Sequence, residues 1–317
     1  MADIQKIKLL AIVGPTASGK SALAMTIAEQ YGGEIVACDS MQVYRQMDVG
    51  TAKPTCEDIL RVPHHLVDVA EPFESFSAAT YVTQASEAIR DISARGKIPV
   101  LCGGTGLYLD GLLRGGYEET ASDAIVRESL FAFAEQNGAE ALHARLSEVD
   151  PESAAATHAN NIKRVVRALE IYELTGKTKT EWDRQSREQP SPYDATVIGL
   201  RYPDREQLYA RIDRRVEQML AAGLLAETER LMAMGVFEKN GTAAQAIGYK
   251  ELLGHLRGEC DLATAVEELK RATRRYAKRQ MTWFSAKDYV QWIDVTENGR
   301  MRTLSAIADE AAVLAGI

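Results

Sequence analysis

The sequence predicts an α/β protein: a parallel sheet flanked by helices, with a mainly helical insertion. Three observations lead there. Short apolar runs ending in glycine or aspartate alternate with helix-like segments through the first hundred residues, as strands buried on both faces of a parallel sheet do. A glycine-rich turn joins the first such run to the first helix. Between about Ser122 and Gly176 the strand signal vanishes, and Ala, Leu, Glu and Arg dominate.

Taken in order, residues 8–13 carry the run LLAIV and end at Gly14, which predicts a first strand. A helix from about Ser18 to Gln30 follows, stopped by Gly32-Gly33. Glu34 to Cys38 reads as a second strand ending at Asp39-Ser40, and Ala78 to Ala94 as a helix closed by Gly96. Ile98 to Cys102 is a third strand that runs into Gly103-Gly104-Thr105-Gly106. Past the insertion, the polar stretch Lys177 to Asp194, with Pro190 and Pro192, reads as a connector to a returning strand at Ala195–Leu200. A helix from about Asp204 places Leu208, Ile212, Val216 and Leu220 at intervals of four, and a basic helix spans about Leu262 to Phe284. The tail beyond Asp294 has only a weak helical pattern. The divisions expected are 1–121 for the first part of the core, 122–193 for a helical insertion domain, and 194–317 for the return to the core and C-terminal helices.

Hydrophobic residues make up 46% of the 317 and charged residues 26%, with only 23 Gly and 9 Pro, which excludes a disordered or collagen-like chain. No apolar run reaches the roughly 18 residues of a membrane helix, and Met1-Ala-Asp-Ile-Gln-Lys6 does not open a leader peptide. A cytoplasmic protein without membrane association is expected, most simply a monomer. The four cysteines are widely spaced, without CxxC or zinc spacing, so reduced thiols are expected, at least two of them in buried strands. The net charge of −8 argues against nonspecific coating of nucleic acid. Residues 270–279, KRATRRYAKR, nevertheless hold six basic side chains and no acid. Lys270, Arg274 and Lys278, and Arg271, Arg275 and Arg279, fall at spacings of four, giving two adjacent basic stripes without interleaved acids.

Gly14-Pro15-Thr16-Ala17-Ser18-Gly19-Lys20-Ser21 matches GxxxxGK[ST] between a buried strand and a helix. Two glycines let successive N–H groups converge at a helix N-terminus, Lys20 adds a full charge, and the Ser21 hydroxyl can ligate Mg²⁺. A P-loop NTPase-like core holding a polyphosphate follows. Asp39, just past the second strand, lies where an open α/β sheet gathers its ligands and suits a general base or a helix cap equally. Gln42, Tyr44 and Arg45 offer amide, phenol and guanidinium groups to a planar substrate. The turn Gly103 to Gly106 can hold the far side of the same phosphate through its amides and the Thr105 hydroxyl. His64-His65 lacks further ligands at zinc spacing and gives no metal site.

With these motifs in order, the chain resembles the tRNA dimethylallyltransferase family, also called tRNA isopentenyltransferases or IPP transferases. The matching segments are GPTASGKS (14–21), DSMQVYR (39–45), GGTGLYL (103–109), NNIKRVVRALE (160–170), RIDRRVEQML and GLLAE (211–227), QAIGYKE (245–251) and RRYAKRQMTWF (274–284). The resemblance implies that the loop holds dimethylallyl diphosphate with Mg²⁺, and that the five-carbon group passes to N6 of the adenosine 3′ of the anticodon in tRNAs reading codons that begin with U. It further implies Asp39 as general base, Thr105 and Arg215 on the departing diphosphate, and Ser21 on the metal. The anticodon stem-loop would meet Asp39, Ser40, Met41, Gln42, Thr105, Arg127, Asn160, Asn161, Ile162, Lys163 and Arg164, and the basic stripes containing Lys270, Arg274, Arg275 and Lys278 suit its phosphates.

Ala159 stands where the family commonly has proline, which questions the local backbone, and the zinc finger of longer eukaryotic relatives is missing. Two other classes fit parts of the pattern: a small-molecule or nucleotide kinase, using the same loop and Asp39 on ATP, and a non-catalytic phosphate-loop module that binds RNA.

Overall fold

The computed structural model describes residues 6–113, 122–188 and 190–317. The expected boundary at residue 121 and the reading of the first five residues lie outside them. Backbone contacts divide the chain into two units, one of residues 1–113 with 192–317 and one of residues 114–191.

In chain order the elements begin with β1 (Ile7–Val13), α1 (Lys20–Tyr31), β2 (Gly33–Cys38), α2 (Cys56–Arg61), β3 (His64–His65), α3 (Ala78–Ala94), β4 (Ile98–Gly103) and α4 (Gly106–Leu113). The second unit contributes α5 (Ala124–Asn137), α6 (Ala139–Val149), α7 (Pro151–Ala155), α8 (Ile162–Thr175) and α9 (Lys179–Glu188). The chain then returns through β5 (Tyr193–Arg201), α10 (Arg205–Ala221), α11 (Leu224–Ala233), α12 (Val236–Lys239), α13 (Tyr249–Leu256) and α14 (Leu262–Ser285). Strands β6 (Val290–Asp294), β7 (Thr296–Glu297) and β8 (Arg300–Met301) precede α15 (Leu304–Ala315).

Six strands form one parallel sheet in the order β3-β2-β4-β1-β5-β6. Both faces are covered, which is why every residue of β2 is buried. One face packs α1, α10 and α15 through residues such as Leu23, Ile27, Ile212 and Ile307, and the other packs α3 and α4 through Tyr81, Ile89 and Leu109. Side-chain caps start the long helices: Ser77 on α3, Asp204 on α10, Asp261 on α14 and Thr303 on α15 each accept a first-turn amide.

Register decides where ligands gather. Val13 of β1 pairs with Gly103 of β4, and Gly103 with Cys38 of β2, so three strands end in one row. Gly14, Asp39 and Gly104 therefore emerge side by side, the outer two separated by two strand spacings, about 10 Å.

Three local readings need correction. The polar stretch after Lys177 is largely helical, because Thr178 and Glu181 cap α9 reciprocally and Lys179 pairs with Asp183 one turn on. No helix follows Ser40; Asp39 closes a turn instead. The tail is a short hairpin and a full helix, α15, which buries Ile307, Ala308, Ala311 and Ala312 against the core.

Candidate active site

The loop between β1 and α1 curls because Gly14 and Gly19 both take positive φ, 142° and 97°. Gly19 is the N-cap of α1 and brings no side chain, so the helix's first amides stay open to an anion. The Pro15 carbonyl closes the turn by accepting from the Ser18 amide (3.2 Å) and from Lys20 Nζ (3.3 Å). Arg211 of α10 props the loop from behind, donating Nε–H to the Ala17 carbonyl at 3.0 Å. The Ser18 hydroxyl is buried and has no hydrogen-bond partner among the described residues; a phosphate oxygen is the kind of group that satisfies such a donor.

Thr16 departs from expectation. Its amide already donates to Gln280 Oε1 of α14 at 2.8 Å, which removes it from the donors a ligand can use. The other end of the Gln280 amide donates to the Gly104 carbonyl at 3.0 Å. One buried side chain thus ties the two glycine turns together.

At the end of β2, Asp39 Oδ1 accepts from the amides of Met41 (2.9 Å) and Gln42 (3.4 Å). Lys20 and Arg215 both feel its charge, and among the described residues neither is in a salt bridge. Burial lowers the pKa of Lys20, with Arg215 acting in the same sense and Asp39 opposing; burial likewise lowers that of Arg215, again opposed by Asp39. Thr105 reaches the same place because Gly103 lets β4 run close to β2: a Cβ there would lie 2.0 Å from the Cys38 carbonyl oxygen. The Thr105 amide donates to that oxygen at 3.1 Å, and its hydroxyl accepts from the Ser40 amide at 3.1 Å. Tyr276 of α14 presents its phenol to Thr105, and burial raises its pKa.

Two thiols flank the site. Burial pushes Cys38 up to about 12 and Cys102 up to about 11, so both are neutral and poor nucleophiles. Asp39 is the carboxylate at these strand ends. The Ser21 hydroxyl bonds Cys102, whose thiol also senses Lys20 and Asp39. A hydroxyl and a carboxylate beside a phosphate cradle are hard oxygen donors, few in number, which suits Mg²⁺ because it keeps most of its waters. His64 and His65 have other work: His65 bonds Glu34 at 2.7 Å and His64 bonds the Val62 carbonyl at 2.8 Å.

The basic stripes of α14 are not uniformly free. Lys270 pairs with Glu217 (3.0 Å) and Glu267 (3.4 Å), Arg271 with Glu268, and Arg274 with Asp213 (2.5 Å). The missing acids come from α10 and from the preceding turn of α14. Arg275, Lys278 and Arg279 remain exposed.

In the second unit Arg127 is held by the fully buried Glu170, which also accepts from Arg167 and the Asp123 amide. Asn160, Asn161, Lys163 and Arg164 are exposed, and Ile162 is half-buried, at the start of α8. Ala159 does not disturb the backbone, since the Asn161 amide closes a turn on the His158 carbonyl at 2.8 Å. Sequence reasoning gave no individual role to Gln280, Tyr276 or Arg211. The signal for Gln280 is a polar residue on the buried stripe Ala265, Leu269, Ala277, Phe284.

A family model described as IPP transferase matches residues 42–287, and one described as isopentenyl transferase matches residues 7–70. A tRNA dimethylallyltransferase of Caldanaerobacter subterraneus is 45% identical over 92% of this chain and 93% of its own. The solved tRNA isopentenylpyrophosphate transferase of Bacillus halodurans is 43% identical, with a TM-score of 0.70 over 98% of this chain and 97% of that one. A eukaryotic dimethylallyltransferase, solved acting on tRNA, is 29% identical with a TM-score of 0.79, over 98% of this chain and 80% of its own.

Proposed function

Because the chain belongs to the IPP transferase family, we propose that it transfers the dimethylallyl group of dimethylallyl diphosphate to N6 of the adenosine 3′ of the anticodon, in tRNAs reading codons that begin with U. The observation that carries the reading is the open carboxylate of Asp39 with two half-buried cations near it, Lys20 and Arg215, over one row of strand ends.

The amine at N6 is a weak nucleophile because its lone pair is delocalised into the ring. Asp39 takes its proton as the bond from N6 to the allylic carbon forms and the bond from that carbon to the diphosphate oxygen breaks. Lys20, Arg215, the first amides of α1 and the Ser18 hydroxyl meet the negative charge that develops on the leaving diphosphate. Ser21 would hold Mg²⁺, which when bound supplies further charge neutralisation at the diphosphate. Thr105, bonded to the Ser40 amide, sets the separation of the base-binding turn from the phosphate turn. The adenine must leave its stack to reach Asp39, at a cost of a few kcal/mol offset by contacts in the pocket. Arg275 and Lys278 on the exposed face of α14, and Asn160 to Arg164 with Arg127 in the second unit, contact the anticodon stem-loop.

Purified protein with Mg²⁺, unmodified tRNA and radiolabelled dimethylallyl diphosphate should move label into RNA. Label passing from ATP to an acceptor in a parallel tube would instead identify a kinase, and tRNA binding without transfer a non-catalytic module.

A further inference from the structure

The loop after Asp39 is tied down by a residue distant in sequence. Glu227 of α11, almost fully buried, accepts three successive backbone amides: Asp48 (3.1 Å), Val49 (2.9 Å) and Gly50 (3.0 Å). The Tyr249 hydroxyl donates a fourth bond at 2.7 Å. Among the described residues no cation contacts this carboxylate, so backbone dipoles and one phenol balance it. Gly50 passes so near Tyr249 that a Cβ would lie 2.4 Å from the ring.

The brace fixes what comes next. Thr51 and Ala52 point their carbonyls at Gln42, whose Nε2 donates to both, at 3.0 and 3.1 Å. Only an NH₂ group fits between two carbonyl oxygens, so the amide has a single orientation. Both of its hydrogens are consumed, and Oε1 has no hydrogen-bond partner among the described residues. Gln42 therefore offers an acceptor and no donor, in the same turn that Asp39 closes.

We propose that Glu227 and Tyr249 are positioning residues for base recognition, gripping residues 48–50 so that the Thr51 and Ala52 carbonyls hold Gln42 as an acceptor for an N–H group of the target base. This rests on the proposed transfer to tRNA. An exocyclic amine has two hydrogens: one goes to Asp39, and an acceptor for the other orients the nitrogen and disfavours a base with a carbonyl at that position.

The test is a double-mutant cycle on kcat/KM for tRNA with Glu227→Gln, Tyr249→Phe and Gln42→Ala, alongside Tm and dimethylallyl diphosphate binding. Tyr249→Phe should lower kcat/KM about tenfold and Glu227→Gln about a hundredfold, each adding little to the loss in Gln42→Ala. Diphosphate affinity should stay within about twofold in every variant. Gln42→Glu, which cannot donate to either carbonyl, should match the Gln42→Ala loss without lowering Tm. Fully additive losses, or parallel loss of diphosphate affinity, would overturn the proposal while wild-type transfer stands. Wild-type protein that moves label only from ATP would remove the functional reading and this inference together.

Discussion

Strand β2 carries an acid near each end, and their surroundings are opposite. Glu34, near the amino end, is 2% exposed and saturated: Arg95 meets both of its oxygens, Lys97 contacts it at 2.8 Å and His65 at 2.7 Å. Its hydrogen bonds with Arg95, and then those with Lys97 and His65, outweigh burial and hold its carboxyl far below the usual range. Asp39, one residue past the carboxyl end, accepts two amides on one oxygen and, among the described residues, forms no salt bridge with the cations that feel its charge. A carboxylate whose lone pairs are all committed stabilises the fold and can do little else, whereas one left partly unsatisfied can take a proton. The contrast also follows sheet topology, since loops at the carboxyl ends of parallel strands are where ligands bind.

The comparison breaks most visibly with Asp39→Asn. Single-turnover transfer should fall about a thousandfold while tRNA affinity and Tm hold, and a fall of only a few fold would place the base elsewhere. Arg215→Ala should cost about a hundredfold in kcat/KM, with Arg215→Lys recovering part of it, as measured by steady-state transfer. Reversing Arg275 and Lys278 together should weaken tRNA binding and reduce its logarithmic salt slope by about 1 to 2, read by titration at several ionic strengths. Arg274→Glu should in addition lower Tm, because it loses Asp213.

Glu34→Gln is the complementary experiment at the other end of the strand. Activity should stay near wild type, while stability falls by about 1–2 kcal/mol at neutral pH, less than for a sealed ion pair because Arg95 and Lys97 can reach water. The lowered pKa fixes the sign. Its contribution is complete above the ordinary glutamate pKa and is lost as pH falls through the depressed folded value. Denaturant midpoints of variant and wild type should therefore converge in acid.

What could be read from the sequence was local. The strand, turn and helix around GPTASGKS, and the aspartate ending the next buried run, are signals within a dozen residues, and the structure places them in one row. What stayed hidden joins distant segments. Glu227 meets amides 177 to 179 positions away, and Gln280 reaches the loop at Thr16 across 264. The acids that quiet Lys270 and Arg274 sit mainly on another helix, where no i, i+4 rule finds them. Helix α9 was obscured differently: nearly all its residues are polar, and its stability comes from a capping box and a surface ion pair instead of an apolar stripe.

The glutamine linking the first glycine turn to the second makes the mouth of the anion cradle a matter of helical phase. The gap between the two turns is metered by one amide projecting from α14. Inserting a single residue into that helix ahead of position 280 would swing the amide by about 100° around the axis and release both turns at once, although no atom of either turn had been altered.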